Sequence, residues 1–209
     1  DGLCYIHKGD YLDGKLARVM GFDQLKAPEE SCLFTWDKPF VQLETTRGCF
    51  NTCAFCVSGG EKPVRTLSID VIRQRLQTIH AHGIKDVRVL DRTFNYNVHR
   101  AKELLQLFRE FHPHMRFHLE IHPALLSDEL KNELKQLPLG LLHLEAGIQS
   151  LREPVLEKCQ RKGKLTDALE GLKEALAAGN SVALTADVDL AGEQIDVPAG
   201  AEATLNLNG

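Results

Sequence analysis

From Phe40 onward the apolar residues follow two alternating periods. Phe40-Val41-Gln42-Leu43-Glu44-Thr45 reads as a short strand, and a helical pattern follows, with Ile69, Ile72, Leu76 and Ile79 on one face. Ser68 is placed to cap that helix and Gly83 to end it. Asp86 to Leu90 is strand-like again, and Val98, Ala101, Leu105 and Phe108 mark a second helix, stopped by Pro113. The alternation then repeats. Met115 to Ile121 predicts a strand, with a helix from the Ser127 cap to before Pro138. Leu141 to Ala146 predicts the next strand, followed by helical segments near 151–160 and 166–178, the latter capped by Thr166 and ended by Gly179. Strands that alternate with helices imply right-handed βαβ crossovers and a parallel sheet, an α/β fold. Four units in a row suit a partial (βα) TIM-like barrel with its helices outside. A doubly wound sheet carries the same alternation, but no strand-order signal selects it.

The two ends of the chain read differently. Residues 1–38 form a leader with turn signals at Lys8-Gly9-Asp10, Asp13-Gly14 and Ala27-Pro28 and no periodicity. Residues 39–178 hold the repeating units. Residues 179–209 are β-rich, and from Glu174 to the end there are six acids and no Lys or Arg. Ser181 to Asp189 and Leu205 to Gly209 alternate in strand fashion, with turns at Ala191-Gly192 and Pro198-Ala199-Gly200. This segment is either a continuation of the sheet or a piece of different origin, resembling the edge of a surface β-repeat.

At 209 residues, 43% apolar, the chain has material for one well-buried domain. A net charge of −4 gives no general basic field for nucleic acid, so no nucleic-acid partner is expected. No apolar run approaches the roughly 20 residues of a membrane helix, and no signal peptide opens the chain, so the expectation is no membrane and a cytoplasmic location. The start at Asp1 reads as the middle of a longer protein.

Six cysteines change the picture, because three of them crowd into eight residues. Cys49-Phe50-Asn51-Thr52-Cys53-Ala54-Phe55-Cys56 has the spacing C-x3-C-x2-C and directly follows the first strand of the repeating units. The motif therefore sits on a loop at a strand's carboxyl end, where α/β folds assemble their ligand sites. Clustered thiols point to metal rather than disulfides. Three thiolates can hold three corners of an iron–sulfur cube and leave the fourth iron open. A structural zinc site asks instead for four protein ligands, usually as two C-x2-C pairs, and this chain has no second pair.

The spacing, together with the aromatic Phe55 ahead of the last cysteine, resembles the signature of the radical S-adenosylmethionine (SAM) superfamily. The resemblance implies that Cys49, Cys53 and Cys56 ligate a [4Fe-4S] cluster whose open iron takes SAM. It also implies reductive cleavage of SAM to methionine and a 5′-deoxyadenosyl radical. The likeness continues at later strand ends, over residues 39 to about 173. Ser58-Gly59-Gly60 offers a backbone that passes close to a ligand. Leu90-Asp91-Arg92-Thr93-Phe94-Asn95 resembles the D-x-T-F element of cobalamin-linked members, with Asp91 and Thr93 as SAM contacts or as a simple turn and cap before Val98. Alternation puts His118, Glu120 and His122 on one face of the third strand, so Glu120 faces SAM in the lumen or faces solvent. Glu145-Ala146-Gly147-Ile148-Gln149-Ser150 resembles the G-x-E/Q-S element, with Gly147, Gln149 and Ser150 near the ribose or the methionine carboxylate; Ser150 also suits the cap of a helix beginning at Leu151. Arg161 pairs with the SAM carboxylate or is a surface charge.

The resemblance implies an enzyme acting on a small-molecule or unknown substrate, with an electron donor such as flavodoxin or ferredoxin. A leader of 38 residues is too short for a cobalamin domain and lacks an Asp-x-His-x-x-Gly motif, so cobalamin is expected only in a longer parent protein. Two other readings keep the same cysteines: a non-catalytic zinc- or cluster-binding module, and an inactive truncated fragment ending after the fourth unit.

Overall fold

A computed structural model describes residues 3–15, 21–58, 62–178, 181–185 and 203–206. Strands β1 (Cys4–His7) and β2 (Asp10–Asp13) form an antiparallel hairpin around the Lys8-Gly9 turn. There follow β3 (Phe40–Leu43), β4 (Thr46–Arg47), β5 (Arg65–Thr66), α1 (Ile69–Ala81), β6 (Asp86–Val89) and α2 (Val98–Arg109). The chain continues with β7 (Arg116–Ile121), α3 (Asp128–Lys135), β8 (Leu142–Ala146), α4 (Glu153–Lys158), α5 (Leu165–Ala177), β9 (Ser181–Thr185) and β10 (Ala203–Asn206).

The main sheet has the order β10-β9-β8-β7-β6-β3, and all of its pairings are parallel. Each strand lies beside its predecessor, as the predicted βα succession requires. The period of two in each strand sorts its side chains onto two faces. Val41 and Leu43, Val87 and Val89, Phe117 and Leu119, and Leu142 and Leu144 point one way. They share a single core with Ile72 and Leu76 of α1, Leu104 and Phe108 of α2, Leu130 and Leu134 of α3, and Leu172 and Leu176 of α5. The other face carries Gln42, Arg88, His118 and His143 in register across four strands. Helices packed on one face of a sequentially ordered parallel sheet make the partial barrel rather than the doubly wound alternative, and the described strands leave it open.

Helix starts follow local chemistry. Ser68 accepts from the Val71 N–H and Ser127 from the Leu130 N–H, as predicted. Three expected caps are corrected. Asn97, not Thr93, accepts from Arg100 N at the start of α2. Thr166 lies inside α5, whose cap position is Lys164. Ser150 accepts from Arg152 N in a turn ahead of α4, which begins only at Glu153.

Both chain ends carry structure beyond their sequence signals. The aperiodic leader crosses α1, where Trp36 stacks on His82 with ring centroids 3.7 Å apart, and Glu29 forms a buried ion pair with Arg75 at 2.8 Å. A cavity of about 880 Å³ lies between this segment and edge strand β3. Beyond the fourth unit, β9 and β10 extend the parallel sheet, favouring continuation of the sheet over a separate β-repeat. The turns expected at Ala191-Gly192 and Pro198-Ala199-Gly200 lie outside the described residues.

Phe108 and Phe117 stack at 4.0 Å and are fully enclosed, coupling α2 to the sheet. Phe108→Ala is expected to cost about 3–5 kcal/mol, read from urea denaturation. Leu139→Ala, at an exposed position, should stay within about 0.5 kcal/mol.

Candidate functional site

The carboxyl end of β3 runs straight into Thr45 and Thr46, and the cysteine loop grows from there. Strands β4 and β5 pair as an antiparallel ladder, Thr46 opposite Thr66 and Arg47 opposite Arg65, which closes the base of the loop. Gly48 adopts φ +103°, a conformation that disfavours a side chain, and turns the chain toward Cys49. Cys49 and Cys53 are buried and Cys56 is exposed, with Cys56 N donating to the Cys53 carbonyl at 3.1 Å. The Ala54 N–H donates to the Cys159 carbonyl at 2.9 Å and ties the loop to the segment after α4.

Asp91 holds the root of this loop. It is 1% exposed, and its Oδ1 accepts from the backbone N–H groups of both Thr45 and Thr46 at 2.8 Å, while Oδ2 accepts from the Thr45 hydroxyl. Burial pushes the carboxyl's pKa up, against the hydrogen bonds from the two threonines, which pull it down. Asp91, expected from the sequence as a SAM contact or a turn residue, here spends its oxygens on Thr45 and Thr46 ahead of the cysteines. Four residues on, Asn95 performs the matching task for the third strand. Its Nδ2 donates to the His122 carbonyl at 2.9 Å and its Oδ1 accepts from His122 N at 2.8 Å. The D-x-T-F-N element thus bonds to the strand on each side of its own. The Thr93 hydroxyl donates to the adjacent Arg92 carbonyl, so it is turned back on its own turn.

The end of β8 joins the loop through Arg161. Its guanidinium donates to the Gly147 carbonyl and sets its charge against the Cys53 thiol, so it points inward rather than lying as a surface charge. Burial raises the Cys53 thiol's pKa and the Arg161 charge opposes that rise; burial in turn lowers the pKa of Arg161, which the thiols hold up. At Gly147 the end of the Gln149 side chain lies where a Cβ would stand, 2.6 Å from it, so the two residues are closely packed. Gln149 itself sits at φ +73°, an uncommon conformation for a non-glycine residue. The structure therefore brings Gly147, Gln149, Arg161 and the cysteine loop together.

The other expected residues are placed as follows. Glu120 lies half-buried on the polar face opposite Glu145 in register, and burial followed by the Glu145 charge raises its pKa. His118 Nε2 and Glu145 Oε2 are hydrogen-bonded at 2.8 Å beside it. Phe55 is 55% exposed at the loop's tip. Ser150 is engaged with Arg152 N, and Gly59 and Gly60 lie outside the described residues. His122 is 4% exposed with neither ring nitrogen in a hydrogen bond, and its pKa is lowered to about 4 by burial first and by Arg161 second. It is a packed neutral ring.

Three thiols on one loop with a cation against them suit an anionic iron–sulfur cube. Among the described residues, no three His, Cys, Asp or Glu side chains stand close enough to share one metal ion. A cube asks each thiolate for a different iron, and the Arg161 charge against the thiols suits an anionic group.

A parallel α/β sheet with a three-thiol loop at its carboxyl edge defines a class, and sequence comparison places the chain within it. Residues 43–191 match the model of the Radical SAM superfamily, and the chain belongs to that superfamily. Among curated proteins no sequence matches this chain. The fold is similar to the radical SAM methyltransferase TsrM from Kitasatospora setae, solved with cobalamin and a [4Fe-4S] cluster bound (TM-score 0.60, 20% identity, 70% of this chain and 30% of that one). It is also similar to the cobalamin-dependent SAM radical enzyme OxsB (TM-score 0.58, 17% identity, 68% and 23%). SuiB of Streptococcus suis, solved with its precursor peptide SuiA, shares the fold as well (TM-score 0.59, 12% identity, 70% and 32%). The chain spans about a third or less of the length of these proteins.

Removing the Asp91 carboxylate strands two buried N–H groups, each worth about 1–3 kcal/mol. Asp91→Ala should therefore cost roughly 3 kcal/mol by denaturant titration and lower iron uptake on reconstitution. Asp91→Asn keeps an acceptor for the two N–H groups and should lose about 1 kcal/mol. Equal, near-zero losses in both variants would show that the root of the loop does not need Asp91.

Proposed function

We propose that the chain is a catalytic radical SAM unit in which Cys49, Cys53 and Cys56 hold a [4Fe-4S] cluster, and that it works in the cytoplasm. When bound, such a cluster supplies the electron that splits SAM into methionine and a 5′-deoxyadenosyl radical, which then takes hydrogen from a substrate. The observation that carries the reading is the bridge made by Arg161, from the Gly147 carbonyl at the end of β8 to Cys53 on the loop after β3. It puts the two sequence elements that resemble cofactor-binding motifs into one continuous site.

The chain's own residues then have distinct tasks. Asp91 and the β4–β5 ladder hold the loop's two ends, so the thiols are positioned before any ligand arrives. Arg161 offsets the negative charge of the thiolates. A guanidinium has five N–H donors, so those not used by Gly147 and Cys53 can meet a carboxylate such as that of SAM's methionine portion. Gly147 and Gln149 form a close-packed wall beside it, and Glu120 on the polar face is positioned to accept from a ribose hydroxyl or an amine. The likeness to TsrM and OxsB supports cobalamin as a further cofactor, held by another part of a longer parent chain.

Anaerobic reconstitution with iron and sulfide should give a brown protein with about four irons per chain and an EPR signal that changes when SAM is added. Cys53→Ala should abolish iron uptake. A colourless protein that retains zinc would overturn the proposal. Arg161→Gln should keep its iron yet bind SAM about tenfold more weakly, the loss of one charge-assisted contact, by equilibrium dialysis.

A further inference from the structure

The segment that packs on the cysteine loop is basic, although the chain as a whole carries net charge −4. Lys158, Arg161, Lys162 and Lys164 fall within seven residues with no acid among them; Glu153 and Glu157 lie earlier, on α4. Arg161 turns inward to Cys53, while Lys158, Lys162 and Lys164 are exposed and enter no ion pair among the described residues. Two contacts fix this strip against the loop: Ala54 N donates to the Cys159 carbonyl at 2.9 Å, and Lys162 Nζ stands 5.5 Å from the centre of the Phe50 ring, next to Cys49. On the adjoining tip Val57 is fully exposed, and Cys56 reaches the surface beside it. The result is a loop with an exposed apolar residue and an exposed thiol, tied to a strip of lysines that enter no ion pair among the described residues.

We infer that this surface, Val57 and Cys56 with Lys158, Lys162 and Lys164, is the docking site of an acidic one-electron carrier protein. The inference rests on the proposed function, which needs one electron delivered at the cysteine loop. Electron transfer weakens steeply with distance, so a carrier gains by meeting the loop where a thiol ligand is exposed. Unpaired lysines steer and orient an acidic partner, and the small apolar tip gives the short-lived contact of a redox encounter. In the step itself the carrier is oxidised by one electron and the group held by the thiolates is reduced by one; no bond or proton changes hands.

The test uses the full chain, an oxidised bacterial flavodoxin carrying a fluorescent label, and fluorescence anisotropy. Binding should be roughly micromolar and should weaken steeply between about 50 and about 300 mM salt. The triple variant K158E/K162E/K164E should weaken it about tenfold or more, and Val57→Glu by a similar factor, with circular dichroism and iron uptake unchanged in both. Affinity unaffected by either variant would overturn the docking site. So would equal affinity for a single-stranded RNA of mixed sequence, which would make the strip a general polyanion surface. Binding needs no cluster, so the two readings fail separately. A wild-type chain that takes up no iron but binds flavodoxin through these residues overturns the cluster and keeps the surface; four irons with variant-insensitive binding does the reverse.

Discussion

A buried carboxylate with three hydrogen bonds to one short stretch of chain is the constraint on which the site depends. Asp91 sits just past the end of β6 and reaches across to the end of β3, where Thr45 and Thr46 give it two backbone N–H groups and a hydroxyl. Burying such a group is costly unless its lone pairs are occupied, and occupying them fixes the donors. The donors lie just ahead of the turn at Gly48, so the desolvation of one carboxylate becomes the placement of the cysteine loop. Asn95 repeats the logic toward β7 by gripping both backbone groups of His122. Three neighbouring strands are therefore joined at their carboxyl ends by one short element, independently of the sheet's own ladder.

The rest of the site is assembled by packing that has no redundancy. Helices cover one face of the sheet with Leu, Ile and Phe, which leaves the opposite face of Gln42, Arg88, His118 and His143 to polar work. Arg161 spans two elements far apart in sequence, donating to the Gly147 carbonyl while its charge faces the thiols. A guanidinium suits this position for a physical reason: it stays charged when partly buried and can donate in several directions at once.

Much of the architecture was legible locally. The strands from β3 to β8 and the helices between them follow from two apolar periods, with boundaries displaced by one to three residues where a cap or turn intervenes, as at Glu153. The cysteine spacing pointed to the family directly. The supports of the cysteine loop were not legible, because they join positions far apart: Asp91 lies 46 residues from Thr45, Asn95 27 from His122, and Arg161 14 from Gly147. Arg161 read either as a partner of the SAM carboxylate or as a surface charge, because nothing in Gln160-Arg161-Lys162 distinguishes an inward arginine from an outward lysine. The one available signal was its place in a segment resembling the family's helix and turn. The leader was missed for the same reason, since its anchors, Glu29 to Arg75 and Trp36 to His82, obey no period.

By itself the sequence determined which residues could be strand, helix or thiol ligand, because periodicity and spacing are properties of neighbours along the chain. Only the tertiary structure decided what each polar residue does with its hydrogen bonds. Asp91 clamps the root of the cysteine loop and Arg161 lies against the thiols, because burial and the partners available at a strand's end are set by elements brought together in space.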